Sequence, residues 1–271
     1  MKSRIKKIVD IFLFNFKYNH FQIIGWIIVL FSLSFLYMIL FPSVKELAQE
    51  KLDMIPDELL GLIGMDGLTN LTEFQNYFSM VFSIILIAIS IFSTTFASSI
   101  LSYEETNKTI EFSGTMEVSR IEFFIAKILT GVMALCLVLL ATFLGIIIPG
   151  LINGGATFNF FDVFNAFKLS SVTSFIFLSI GFLISGITSK KNPVMISVIV
   201  LLIIYFLGYL GNLLKDNGLF LFYLSPFNTL SSSRVLNLNL TEKIILSIYL
   251  LITWISLIVG GYVYNKRDFS I

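Results

Sequence analysis

The chain is poor in the residues from which most metal and redox sites are built. It contains one histidine, His20, and one cysteine, Cys136, among 271 residues. A zinc site needs three or four protein ligands, mostly histidine and cysteine, and a single cysteine cannot form an internal disulfide. The formal net charge is +1, which excludes the strongly basic surface typical of nucleic-acid-binding proteins. No G-x-x-x-x-G-K-[ST] motif occurs, so the phosphate-binding loop of many ATPases is missing.

Charged residues are also scarce, and long uncharged apolar runs take their place. Charged residues make up 13% of the chain, against about 25% in an average soluble domain. About 20 helical residues cross the roughly 30 Å apolar core of a bilayer. We therefore predict an all-α membrane protein in which residues 1–271 form a single transmembrane domain. Its six transmembrane helices are expected at about 22–41, 79–101, 128–149, 169–189, 192–212 and 244–264.

The positive charges predict the orientation of the chain. If the N-terminus is inside, twelve of the eighteen lysines and arginines fall in cytoplasmic segments, as the positive-inside rule requires. This distribution of positive charge places a multi-pass protein in the plasma membrane with both termini in the cytoplasm.

Pro149, with the Asn153-Gly154-Gly155 turn, is expected to end the third helix.

Two segments are expected to lie at the membrane surface or to re-enter it. Residues 2–19 combine basic side chains with apolar residues at helical spacing, which predicts an amphipathic helix in contact with membrane lipid. A merely positive flank of the first span is the alternative. The run 218–227 is too apolar and aromatic for an aqueous loop, and we expect either a re-entrant segment or an interfacial aromatic stretch.

The charged segment 102–127, called here the 102–127 segment, separates the second and third spans. It carries five glutamates interspersed with apolar residues. Ser119, with Glu122 three positions later, forms a capping-box pattern that predicts the start of a helix. The segment is suited to docking a cytoplasmic partner, although a solvated loop next to the membrane remains the alternative.

The same segment resembles the signature loop of the type 2 ATP-binding-cassette exporter permeases. The resemblance rests on an acidic pair, a Thr-Ile-Glu core, a Val-Ser-Arg-x-Glu-Phe stretch and Lys127; Lys108, Glu117 and Ala126 depart from the family pattern. It implies a cytoplasmic coupling helix that contacts an ATPase partner. The residues expected to couple to that partner are Glu104, Glu105, Thr109, Ile110, Glu111, Met116, Ser119, Arg120, Glu122 and Phe123.

The resemblance also implies partners and a function. Two permease subunits, identical or related, would rest on two ATP-binding-cassette ATPase subunits. ATP and Mg²⁺ would be bound by those subunits, so no cofactor and no enzymatic activity are expected in this chain. The cargo would be an exported amphipathic or apolar molecule, such as a drug, a peptide antibiotic or a lipid-like molecule, or an ion. Two alternatives remain: a non-transporting scaffold or assembly protein that docks a partner through the 102–127 segment, and a self-contained channel or carrier.

A row of hydroxyl side chains marks the second predicted span. Ser83, Ser90, Thr94 and Ser98 recur close to helical spacing. They are candidates for a translocation path or a subunit interface. Hydrogen-bonded packing between helices is the interpretation that we favour.

Overall fold

The computed structural model describes residues 2–53, 72–107, 118–155, 158–188, 192–231 and 239–267. The regular structure in these ranges is helical, which confirms the all-α prediction. The helices are α1 (Lys2–Tyr18), α2 (His20–Ile39), α3 (Phe41–Asp53), α4 (Phe74–Thr106), α5 (Arg120–Asn153), α6 (Phe160–Ser170), α7 (Val172–Ile187), α8 (Pro193–Leu214), α9 (Leu219–Leu224), α10 (Pro226–Thr229) and α11 (Leu240–Lys266).

Six of the helical stretches in the described ranges are long and apolar enough to cross a membrane. They are α2 with most of α3, α4, α5, the α6–α7 pair, α8 and α11. The six-span prediction is therefore confirmed. The division into one domain and the depth of each helix in the bilayer stay predictions.

Helix boundaries follow local chemistry, with two departures from expectation. The capping box at the start of α5 is confirmed, because the Ser119 hydroxyl accepts from the Glu122 N–H and the Glu122 carboxylate accepts from the Ser119 N–H. Pro149 does not end α5, which continues to Asn153. The turn comes at Gly155, whose φ of 55° is a left-handed conformation that glycine adopts without steric cost. The fourth span is divided at Ser171, where α6 ends and α7 begins.

The centre of the bundle is formed by α4 and the α6–α7 pair. Their apolar stretches are 61% and 65% buried, against 22% or less for α2, α8 and α11. Phenylalanines fill the core, among them Phe82, Phe92, Phe96, Phe177 and Phe182. Close approach of α7 to α4 requires a residue without a side chain, since a Cβ on Gly181 would lie 2.6 Å from the carbonyl oxygen of Thr94. The helices pack by direct van der Waals contact, which drives helix association in membranes.

Two short elements pack on the outside of the bundle. α1 lies against α5 and leaves Ile5, Val9, Leu13 and Phe14 exposed, so its apolar face is directed away from the protein. After α8 the chain turns back, and α9 packs along the last turns of α8, where Gly211 leaves room for the backbone of Phe222. Both arrangements accommodate the interfacial and re-entrant placements, which stay predictions.

Candidate functional site

The ends of α4, α7 and α11 and the start of α5 meet at one end of the bundle, called here the loop end. α4 terminates there and α5 begins there, so the 102–127 segment leaves and re-enters the bundle at this point. The last turns of α7 and α11 lie beside them, because α7 packs on both α4 and α11. The loop end therefore contains the described part of the predicted coupling residues.

Glu104 pairs with Lys127, the residue that sequence analysis left in an aqueous segment. The structure corrects that placement, because the Lys127 side chain is 0% exposed. Its ammonium group donates to the Glu104 carboxylate and to the carbonyl oxygen of Ile100 at 2.5 Å. The nitrogen also lies 4.7 Å from the centre of the Phe123 ring. A buried ammonium group needs such partners, and together they join α4 to the first turns of α5.

Glu105 pairs with Arg267, the residue that follows α11. Their side chains are only 7% and 9% exposed. The Arg267 guanidinium also donates to the carbonyl oxygens of Ser185, Gly186 and Thr188, at 2.9, 3.0 and 2.8 Å. Ser185 and Gly186 belong to the last turn of α7 and Thr188 is the residue that follows it, so these carbonyls have no partner within the helix. Burial lowers the pKa of the Arg267 guanidinium, but arginine remains charged at physiological pH.

The first turn of α5 is joined to the end of α11 and to α1. Arg120 donates to the carbonyl oxygens of Arg267 at 2.8 Å and Asn265 at 3.4 Å. Glu122, besides capping α5, lies 3.7 Å from the guanidinium of Arg4. Ser119, Arg120, Glu122 and Phe123 thus all lie at the start of α5, as the sequence predicted. Thr109, Ile110, Glu111 and Met116 lie outside the described residues.

Sequence analysis missed that Glu104 pairs with Lys127 and that Glu105 pairs with Arg267. Glu104 and Glu105 were expected to contact an ATPase, and in the structure both carboxylates contact cations of this chain. The role of Glu104 and Glu105 in coupling stays a prediction, in which the two glutamates act through their ion pairs with Lys127 and Arg267. The available signal for Arg267 was a cation directly after the last span, a position that the positive-inside rule already explains.

The hydroxyl row of α4 divides into two parts. Thr94 and Ser98 face α7: the Thr94 hydroxyl donates to the Phe177 carbonyl at 3.4 Å and Ser98 to the Gly181 carbonyl at 3.1 Å. Ser98 also bonds to Ser197 of α8 at 2.9 Å, and Ser90 is buried. These contacts hold helices together, as the packing interpretation expects. A role for these residues in cargo movement stays a prediction.

Ser83 lies elsewhere, in a cleft at the opposite end of the bundle from the loop end. The cleft has a volume of about 340 Å³ and lies between α4, α8, α9 and α10. Its polar lining includes Asn212 and Asn228, whose amides share a 3.0 Å hydrogen bond. Tyr205 and Phe227 contribute aromatic surface, their rings meeting edge to face at 5.6 Å. None of the residues that line the cleft is charged. Of this set, sequence analysis named Ser83 alone as a candidate for the translocation path, and Phe222 and Phe227 belong to the run 218–227 that it expected to be re-entrant or interfacial.

A metal centre has no candidate in the described ranges, where no three His, Cys, Asp or Glu side chains cluster as ligands. The described part of the chain thus has a buried polar junction at one end and an uncharged cleft at the other.

Comparison with known proteins identifies the family of the chain. The family model described as the C-terminal domain of the multidrug efflux system permease Rv1217c matches residues 12–264. No curated protein matches the chain. The match covers all six apolar helices, so the predictions of a permease, of transmembrane transport and of efflux are confirmed at the level of the family. The chain belongs to the family of the C-terminal domain of the multidrug efflux system permease Rv1217c.

Proposed function

We propose that this chain is the membrane subunit of an ATP-binding-cassette exporter and is driven by a separate ATPase through the 102–127 segment. The observation that carries the proposal is the loop end. The 102–127 segment joins the end of α4 to the start of α5, and Lys127 bonds these two helices to each other. Arg120 bonds the start of α5 to the end of α11. Arg267, after α11, bonds to the end of α4 and to the end of α7. Force applied to the segment would therefore reach four helices.

The proposed mechanism uses the rigidity of that junction. ATP-driven closure of two ATPase subunits presses on the 102–127 segment of each permease subunit, and the helices switch between inward and outward states. A ligand or partner shifts such an equilibrium only through contacts that differ between the two states. The ATPase supplies those contacts by moving, and a second permease subunit, identical or related, completes the pathway.

The cleft lined by Asn212, Asn228 and Tyr205 is the proposed cargo contact within this subunit. An uncharged lining of amide and aromatic groups favours amphipathic molecules that offer a hydrogen-bonding group and an apolar body. A chain with the loop end in the cytoplasm places this cleft towards the outer leaflet, which is where an exporter releases cargo.

The first experiment identifies the partner and the energy source together. The tagged chain is purified from its native membrane with any bound protein and reconstituted into liposomes. Transport of the uncharged fluorescent amphiphile N-phenyl-1-naphthylamine is then measured with ATP, with a non-hydrolysable ATP analogue and with a proton gradient. We expect co-purification of an ATPase and transport with ATP alone.

The alternatives predict different results. A self-contained carrier would transport the dye without the ATPase or in response to the proton gradient. A scaffold would bind partners and transport nothing. Either result would overturn the proposal.

A further inference from the structure

We propose that the end of α11, through the backbone of Asn265 and through Arg267, the residue that follows the helix, is a mechanical link that transmits movement of the 102–127 segment to α7 and to the rest of α11. The inference rests on the proposed function for the source of that movement. It assigns to Arg267 a positioning role, because within the described ranges Arg267 contacts α4, α5 and α7 and does not line the cargo cleft. The link is held by described side chains from α4 and α5 and by the backbone of α7.

The first step in the argument is the geometry around Arg267. Among the described residues, its guanidinium contacts the carboxylate of Glu105 on α4 and three carbonyl oxygens at the end of α7. A guanidinium is planar and carries five N–H donors in a fixed fork, so it can serve several acceptors in fixed directions at once. The end of α11 is thereby bonded to α4 and α7 through one side chain.

The second step is the connection from the 102–127 segment to this stretch. Arg120, in the first turn of α5, reaches the backbone of Arg267 at 2.8 Å and of Asn265 at 3.4 Å. Rotation of the start of α5 would pull directly on the residues that hold Arg267 in place. Arg120 therefore holds the backbone of Arg267, and the Arg267 side chain in turn contacts α4 and α7.

The third step is the close packing of the helices that the link joins. A Cβ on Gly186 of α7 would lie 2.7 Å from the carbonyl oxygen of Gly260 on α11. Ser185 of α7 also donates to the Ser98 carbonyl of α4 at 3.1 Å. Backbones this close move as a unit, because packed interfaces shift between discrete arrangements rather than deform continuously. Displacement at residues 265–267 is thus delivered to the α4–α7–α11 core.

A merely structural role for Arg267 makes a different prediction from transmission. Loss of a structural contact lowers thermal stability and reduces ATP hydrolysis and transport in proportion. Loss of a transmitting contact leaves the rate of ATP hydrolysis unchanged and lowers the rate of cargo transport. The decisive quantity is therefore the number of cargo molecules moved per ATP hydrolysed.

The test uses the full complex with Arg267→Gln, Arg267→Lys and the neighbouring control Lys266→Gln. Lys266 lies over the Tyr262 ring at 4.6 Å and loses the same charge. We expect the N-phenyl-1-naphthylamine moved per ATP to fall about tenfold in Arg267→Gln and severalfold in Arg267→Lys, since a lysine cannot reproduce the planar fork. Lys266→Gln should stay within about twofold of the unmodified complex, because an exposed charge contributes little. An unchanged ratio in Arg267→Gln would overturn the inference.

A charge exchange tests the carbonyl contacts separately. In the double variant Glu105→Arg, Arg267→Glu the opposite charges are kept, but a carboxylate at position 267 cannot donate to the three carbonyl oxygens of α7. We expect no recovery of the transport ratio. Full recovery would show that the ion pair alone suffices and would remove the link to α7.

Hydrogen exchange in the purified permease tests the link without any ATPase. Arg120→Gln should speed amide exchange at the end of α11 and also in the last turn of α7, where Arg267 bonds. Faster exchange confined to the start of α5 would contradict transmission, whatever the outcome of the transport assay. If the exchange result holds and no ATP-driven transport exists, the proposed function fails while the mechanical link stands.

Discussion

At the scale of single residues, buried charges set the character of the loop end. Lys127 has no exposed surface, and its ammonium group is surrounded by the Glu104 carboxylate, backbone carbonyls and the Phe123 ring. A buried ion pair contributes little net stability, because desolvation of both charges offsets most of their attraction. Removal of one partner is much more costly, since it leaves the other charge without compensation.

This asymmetry predicts the effect of Lys127→Met. The variant leaves the Glu104 carboxylate, 13% exposed, without its cation. We expect the free energy of unfolding to fall by about 3–5 kcal/mol. The double variant Lys127→Met, Glu104→Gln should recover much of that loss. Thermal unfolding of the purified chain in detergent measures both, with Lys266→Met as the matched control at an exposed lysine. Additive losses in the double variant would contradict the ion-pair assignment.

The cleft gives a second prediction at this scale. Asn212→Leu keeps the branched shape and the number of heavy atoms of the side chain and removes the amide that bonds to Asn228. We expect the concentration for half-maximal export of N-phenyl-1-naphthylamine to rise about two- to tenfold, as for the loss of one hydrogen bond. Tyr205→Ala should have a similar effect. Phe206→Ala is the control, because Phe206 is the next residue on α8, is 57% exposed and does not line the cleft. Equal effects at 205 and 206 would argue against the cleft.

At the scale of helices, small residues decide which faces approach. The contact between α4 and α7 depends on Gly181, next to the backbone of Thr94 and the Cβ of Ala97. Hydrogen bonds from Thr94 and Ser98 follow from that closeness, because hydroxyl groups can reach a neighbouring backbone only where helices nearly touch. Apolar residues elsewhere on these helices fill the remaining space.

The Gly181→Ala variant tests this packing. The added methyl group would lie 2.6 Å from the Thr94 carbonyl, so α7 must move away from α4. We expect a loss of about 1–3 kcal/mol in the free energy of unfolding, as for other overpacked sites. Gly25→Ala on α2 is the matched control, since no heavy atom lies within 4 Å of its added Cβ. Helix propensity alone favours alanine over glycine, so the control should be neutral or more stable.

At the scale of the whole molecule, the two ends of the bundle differ in kind. The loop end is a network of buried ion pairs and capped helix termini. The opposite end carries the cleft, the short helices α9 and α10, and the glycine turn after α5. The proposed exporter would use this division, with force from the ATPase entering at the loop end and cargo leaving at the other.

Cysteine labelling tests which end faces the cytoplasm. After replacement of the native Cys136, single cysteines are introduced as Thr115→Cys in the 102–127 segment and Asp57→Cys between α3 and α4. A membrane-impermeant maleimide applied to intact cells should label position 57, and position 115 should react only after the membrane is opened. The reverse pattern would invert the topology and turn the proposed exporter around.

The sequence alone determined the all-α membrane class, the number of apolar spans and the start of α5. Uncharged runs of about 20 residues can hardly be anything but membrane helices, and the Ser119–Glu122 capping pattern marks a helix start from four residues. The 102–127 segment was also identifiable, because its pattern is contiguous. Pro149 and Ser171 show the limit of local rules: α5 continues past a proline, and the fourth span is divided at a serine where no proline stands.

Only the tertiary structure decided which residues meet. Glu105 and Arg267 are 162 positions apart, and no periodicity or spacing rule connects residues at that separation. Each charge alone is explained by the positive-inside rule or by a solvated loop. Their pairing follows from how α4, α7 and α11 pack, as does the cleft formed where α9 turns back on α8. Local propensity sets the helices, whereas close packing of their small residues determines which polar groups lose water and must find partners in one another.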